Sequence, residues 1–476
     1  MLKRIEKDFN TDSVRTPIYE AHFPAPFHEG LEYSSPARGT WNIVHTGMLI
    51  PESHQIFVCA LGCLRGVVLT AAEMNALGRY SSIQIREENV LDGGMEDLMI
   101  EGVTDIIHKL DYRPRAILLF ISCQHFFLAY DQKLVFEVLR ERFPDICFTD
   151  CYMIPTLRKS GLTPDQKMRI QMYSMWENRP FDQKRVNLIG SNLPTAETSE
   201  LRRMVEDHGF SFWDLYRCKD FEDYLAMAEA PLNLVYEPTA LLAAEDLKKR
   251  LGQEYLYLSF TYDFEELDYN YHLLADALAI ETPDFTEDKR RAEAALAHAA
   301  AVIGDTPIAV DYTFTFRILS FVKMLLENGF HITEIYADVF LPEDEDNFRW
   351  IQERYPDIII SATNRPMMRF VHGASDDLEL EADSERIPEQ KIDSEIQKDN
   401  DYIQSGNRTG KKILAAGQKA AYFAGTDYFV NVAESGGFYG FDGIVQIMQL
   451  MEDAFYHKKD RKVLIQRKGY GCESCL

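Results

Sequence analysis

No stretch of this chain is apolar for the roughly 18 residues that a membrane-crossing helix needs, so nothing in it is read as spanning a bilayer. Residues 1–20 mix charged and polar groups without an apolar centre, which argues against a secretory leader and for a cytoplasmic protein. Basic residues are scarce: 50 Lys and Arg against 76 Asp and Glu leave a formal net charge of −26. So acidic a surface repels phosphates, and nucleic acid and anionic membranes are poor partners for it. Two nucleotide motifs are missing as well. A dinucleotide site needs G-x-G-x-x-G straight after a strand, yet residues 186–189 are followed by Gly190 alone and residues 307–311 by no glycine at all. The nearest approach to a phosphate-binding loop, residues 406–412, is one residue short and ends on Lys412 where a magnesium-binding hydroxyl belongs. Neither NAD nor ATP is expected on this chain.

What is present is enough apolar material for several cores. Of 476 residues, 46% are hydrophobic and 12% aromatic, and a chain of this length divides into two or three globular units. Short apolar runs alternate with helical periodicities. Residues 116–122 read as a buried strand, and Leu134, Val135, Val138 and Leu139 then fall on one face of a helix over 131–142, with Asp131 as its cap. A strand–helix–strand pattern over 186–216 repeats over 307–336. In each copy a glycine, Gly209 or Gly329, stands where a helix stops on a positive φ. Further strands are expected at 232–236, 255–260 and 357–362, and helices at 240–251 and 343–354. The pattern predicts an α/β protein with three Rossmann-like parallel-sheet units, over 20–180, 181–280 and 281–450. Residues 375–410, acidic and nearly free of large apolar groups, read as an insertion in the third, and 451–476 as a C-terminal helix and tail.

The eight cysteines are expected as thiols or metal ligands, not disulfides. Cys59 and Cys63 follow the apolar residues 56–58, and Cys123 ends the strand 116–122. Ligands of open parallel sheets gather at the carboxyl ends of strands, and thiolates are the ordinary ligands of iron–sulfur clusters. Buried cysteine is also a common small hydrophobe, so spacing alone leaves both readings open. Cys147 and Cys151 are read as following a second strand and buried, and Cys218 as incidental. Cys472 and Cys475 form a C-x-x-C pair suited to a metal or a redox role. His54 and His125 lie close to the cysteines in sequence, as candidates to hydrogen-bond a sulfur or simply as structural groups.

Four ordered segments carry a family resemblance. Gly62-Cys63, the acidic residues 87–94 ending in a glycine pair, Cys123 with Asp131 at its interval, and the glycine- and aromatic-rich residues 435–443 are together similar to the nitrogenase component 1 superfamily. That superfamily includes the molybdenum–iron protein chains, cofactor-assembly homologues and dark protochlorophyllide reductase subunits. The resemblance implies an iron–sulfur cluster, 4Fe–4S or related, on Cys63 and Cys123. It also implies electrons from a separate ATP-dependent iron protein, and a homologous second subunit or second copy to complete the ligands. Departures are equally informative. The family's first cluster cysteine has no counterpart within 30–39, which makes Cys59 a candidate replacement. Glu237 or its neighbours stand where the active-site cofactor's cysteine aligns, and no histidine stands near Val430 and Asn431. The implied function is a nitrogenase-like oxidoreductase component of unknown substrate that is not a nitrogenase. A metallocluster scaffold or carrier, or a cluster-free interaction subunit, are the alternatives.

Overall fold

The computed structural model describes residues 13–27, 42–154, 162–365, 367–368 and 412–461. Residues 30–39, the acidic insertion 375–410, and Cys472 and Cys475 lie outside them. Strand β1 (Arg15–Pro17) comes first in the chain but joins the third sheet. The first sheet is parallel and consists of β2 (Ser53–Cys59), β3 (Tyr80–Gln84), β4 (Ala116–Ser122) and β5 (Cys147–Met153), in the order β3-β2-β4-β5. Every residue of β2 and β4 is buried. The apolar run of β4, and Ile56, Phe57 and Val58 of β2, are buried because helices cover both faces. Phe57, Cys59, Leu118 and Phe120 pack on one face with Leu64 and Val67 of helix Leu61–Glu73 and Met168 of helix Pro164–Met172. Ile56, Val58, Ile117 and Leu119 pack on the other with Val103 of helix Met95–Lys109 and Val135 of helix Gln132–Arg142.

The second sheet is also parallel: β6 (Arg185–Leu188), β7 (Ser211–Trp213), β8 (Leu232–Val235) and β9 (Glu254–Tyr257), in the order β7-β6-β8-β9. It is shared between cores. Ile189 and Val235 join the core of the first sheet, while Leu188 and Leu234 join that of the third. The third sheet has the order β1-β12-β11-β10-β13-β14, with β10 (Ile308–Asp311), β11 (Ile332–Tyr336), β12 (Ile359–Ser361), β13 (Leu414–Ala416) and β14 (Phe429–Val430) parallel and β1 an antiparallel edge. Val14, Ile18, Ala21 and Phe27 accordingly pack in the third unit's core.

Local signals act as the sequence predicts. Gly209 (φ 76°) and Gly329 (φ 82°) take left-handed conformations just beyond helices Glu200–Glu206 and Ile318–Glu327. The Asp131 carboxylate accepts the Leu134 N–H at 3.0 Å, capping helix Gln132–Arg142. The strand expected over 212–216 ends early, because Asp214 accepts the Arg217 N–H and turns the chain into a short 3-10 helix.

Two stability predictions follow from the first sheet. Phe120 is fully buried and stacked on Phe57 at 4.1 Å between ring centroids. Phe120→Ala removes that packing and should cost about 3–5 kcal/mol, read as a lower midpoint in urea unfolding. His54, at the start of β2, is buried with its ring nitrogens 2.6 Å from Tyr112 Oη and 2.8 Å from Ser81 Oγ. Burial first, and then the Arg79 charge, hold its pKa at about 4. With the folded value depressed, its contribution is complete above the unfolded pKa near 6.5 and is lost as pH falls towards 4. On the order of 3 kcal/mol of acid-side loss should therefore be absent from His54→Gln. Parallel stability curves for the two proteins between pH 6.5 and 4 would contradict this.

Candidate functional site

In an open parallel sheet, a crevice forms where strand order reverses, because the two connections leave in opposite directions. Each sheet has one such point, and what fills it differs. In the first sheet it lies between β2 and β4. The chain leaves β2 through Ala60, the N-cap of helix Leu61–Glu73, whose third residue is Cys63. It leaves β4 through Ser122, the N-cap of helix Cys123–Phe127. Cys123 therefore opens a helix rather than ending the strand. The two exits are tied together by Gln124, whose Oε1 accepts the Ala60 N–H at 3.3 Å and lies 3.0 Å from Ser122 Oγ.

Three thiols gather there. Cys59 is the fully buried last residue of β2, and Cys63 and Cys123 are partly accessible. Burial first, and then the neighbouring Cys63 and Cys123 sulfurs, push the Cys59 thiol up to about 12. Cys63 is raised by burial and then by Cys123. Each sulfur thus lies within electrostatic reach of the others. Left to themselves Cys59 and Cys63 stay protonated, and a cationic metal centre is what would make thiolates of them. Among the described residues no group of three His, Cys, Asp or Glu side chains converges on a single metal ion. Thiols spread over two strand exits suit a polynuclear cluster better, since its cysteine ligands are shared out among its irons.

The remaining candidates separate from this site. His54 begins β2, roughly 16 Å along the strand from Cys59, and its hydrogen bonds are structural. His125 is close by, but its Nδ1 accepts the Ser122 N–H at 3.2 Å within the helix cap. Cys147 and Cys151 lie within β5 and do not follow it. Cys147 pairs with Ala116 at the far end of the sheet, and Cys151 is buried beside Phe120. Cys218 packs its sulfur 3.5 Å from Met227 Sδ.

The second sheet's switch point, between β6 and β8, is filled by a group that sequence reasoning missed. Arg169, from helix Pro164–Met172, is buried with its Nη2 2.9 Å from Glu237 Oε1, and it donates through Nη1 to the Gly190 carbonyl. Burial opposes its charge, but Glu237, Asp165 and Glu434 keep the guanidinium charged. Its partner Glu237 is 68 positions away, so no local pattern could have found the pair. In the third sheet the switch point, between β10 and β13, is occupied by Asp311. The Asp311 carboxylate accepts the Thr313 and Ala420 N–H groups, each at 2.7 Å. Gly417 closes over it, since a Cβ there would stand 2.2 Å from Asp311 Oδ2. Two of the three crevices are thus filled by the chain's own charged side chains, and the third carries thiols.

Comparison with known proteins agrees with this architecture. No curated protein sequence matches the chain. Among solved structures, one titled "Nitrogenase Cp1 at pH 6.5" is similar over 96% of this chain and 95% of its own, with a TM-score of 0.61 at 12% identity. A second, "Nitrogenase Cp1 at pH 5", is similar over 94% of each chain, with a TM-score of 0.55 at 15% identity. At such identities the likeness is one of fold. The family model described as "Nitrogenase component 1 type Oxidoreductase" matches residues 45–455, from within helix Ile43–Met48 to within helix Phe441–Tyr456. This chain belongs to the nitrogenase component 1 type oxidoreductase family.

Proposed function

We propose that this chain is the iron–sulfur-binding, electron-transferring component of a nitrogenase-like reductase, with Cys63, Cys123 and Cys59 as its cluster ligands. The observation that carries the reading is the gathering of three thiols at the first sheet's switch point, where strand exits from β2 and β4 are pinned together by Gln124. Cys63 and Cys123 lie in the first turns of their helices, where N–H groups stabilise anionic sulfur. An iron–sulfur cluster bound there supplies one-electron redox chemistry at a potential set by ligation, burial and hydrogen bonding.

The surroundings support a partner over the site. Leu61 (65% exposed) opens the helix that carries Cys63, and Phe126 (60%) and Phe127 (70%) end the short helix that Cys123 opens. Large apolar side chains grouped beside unfinished ligation are what a homologous subunit or second copy would cover. That partner, or the Cys472–Cys475 pair, supplies the remaining ligands. Electrons would come from a separate ATP-dependent iron protein, since this chain has no nucleotide motif of its own. The substrate is not nitrogen in this reading: Arg169 and Glu237 occupy the second crevice, and neither is a ligand for a molybdenum–iron cofactor. The same filled crevice gives some weight to a second reading, a carrier that holds a cluster without turning over substrate. Turnover with an added reductase separates the two.

The test is iron and acid-labile sulfide per chain in anaerobically purified protein. About two to four irons per chain are expected in the wild type. Most of them should be lost in Cys63→Ala/Cys123→Ala, and a smaller share in Cys59→Ala. Iron-free, folded wild type that stays empty after reconstitution would overturn the reading.

A further inference from the structure

A second device is built into the junction between the second and third units, and it does not depend on the cluster. Residues 434–437 follow β14 and take four successive positive φ values: Glu434 48°, Ser435 68°, Gly436 61° and Gly437 74°. The first two are not glycine, so the loop is strained, and such strain persists only where its surroundings impose it. Its backbone is anchored in the third unit. The Glu434 N–H donates to Thr313 O at 2.8 Å, the Ser435 N–H donates to Phe314 O at 2.6 Å, and Ser435 Oγ lies 2.8 Å from Thr315 Oγ1. The loop presses on the second unit: a Cβ on Gly437 would stand 2.1 Å from the Pro194 carbonyl. The strain turns the Glu434 side chain towards the second sheet's switch point, where its Oε2 accepts from Asn192 Nδ2.

Charge is unbalanced there. From helix Pro164–Met172 come Arg169 and Asp165, from the exit of β8 comes Glu237, and from the loop comes Glu434. Three carboxyl groups thus face one guanidinium. Glu237 Oε1 accepts from Arg169 and from Thr239 Oγ1, while its Oε2 is buried without a hydrogen-bond partner. An unpaired carboxylate oxygen beside a second carboxyl group in a buried junction is costly unless a proton is held there.

We infer that the Glu434 loop is a proton-held clasp: a proton retained by the Glu237–Glu434 pair lets the strained loop lie against the second unit, and its loss releases the loop. Burial first, and then Glu237, raise Glu434 well above the ordinary carboxylate range. Burial also lifts Glu237 to about 7 against the opposing pull of Arg169. With folded values raised, the proton-held state is complete at acid pH and is lost as pH rises through neutrality.

Hydrogen–deuterium exchange on the full chain between pH 6 and 9, corrected for the intrinsic rate, tests this. In the wild type, protection of peptides spanning 434–438 and 190–195 should fall by about tenfold or more as pH rises, while β4 stays protected. Glu434→Gln keeps the shape without the charge, and its protection should be independent of pH. If its β4 peptide shows that this variant does not fold, Glu237→Gln carries the same expectation. Wild-type protection that is flat with pH, or an equal fall in the folded Gln variant, would overturn the clasp.

Discussion

A parallel sheet whose strand order reverses leaves a gap at the carboxyl ends of two neighbouring strands, with helix N-termini facing into it. Much of this molecule can be understood from what each of its three gaps contains. Asp311 fills the third, accepting N–H groups from both of the segments that border it. In the second, Arg169 bridges the Gly190 carbonyl and Glu237. The first alone presents thiols, on helices held in place by Gln124 across the gap. The same topology therefore gives two self-sealed crevices and one lined by thiols.

Sealing a crevice with charge has consequences for how the units hold together. A buried ion pair loses much of its Coulombic gain to desolvation, so the Arg169–Glu237 contact is better understood as fixing geometry than as adding stability. Apolar packing does most of the joining. The second sheet contributes Ile189 and Val235 to the first unit's core and Leu188 and Leu234 to the third's. Another polar contact spans the junction between the second and third units. Glu200 is buried, and its Oε1 accepts the Asp442 N–H at 2.9 Å at the start of helix Phe441–Tyr456. Burial lifts its pKa to about 7. Carboxyl groups from the second unit thus meet the third unit at two places, each with its proton affinity raised by burial.

Much of the fold was legible in the sequence because short-range physics controls it. The buried strand β4 is an apolar run, Ile56–Val58 supply the apolar part of β2, Gly209 and Gly329 mark helix ends, and Asp131 is a cap. The cysteines were singled out by type and by their position near strand ends. Their gathering at one switch point needed the strand order, which no local pattern encodes. Which of its two readings held for His54, a sulfur partner or a structural group, was settled for the same reason: it is near Cys59 in number yet at the other end of the same strand. Arg169 and Glu434 were illegible because their partners are distant in sequence and their role exists only once the sheets have packed. The family resemblance reached further than the local signals did, through segments such as 435–443, whose strained turn has a structural reason only at the junction.

The central claim is that the first sheet's switch point holds iron. The most direct measurement is anomalous diffraction at the iron edge from anaerobically grown crystals of the full chain. The account predicts iron peaks within bonding distance of the Cys63 and Cys123 sulfurs, at the carboxyl ends of β2 and β4. Iron bound elsewhere, or free Cys63 and Cys123 thiols in protein that carries its full complement of iron, would contradict it.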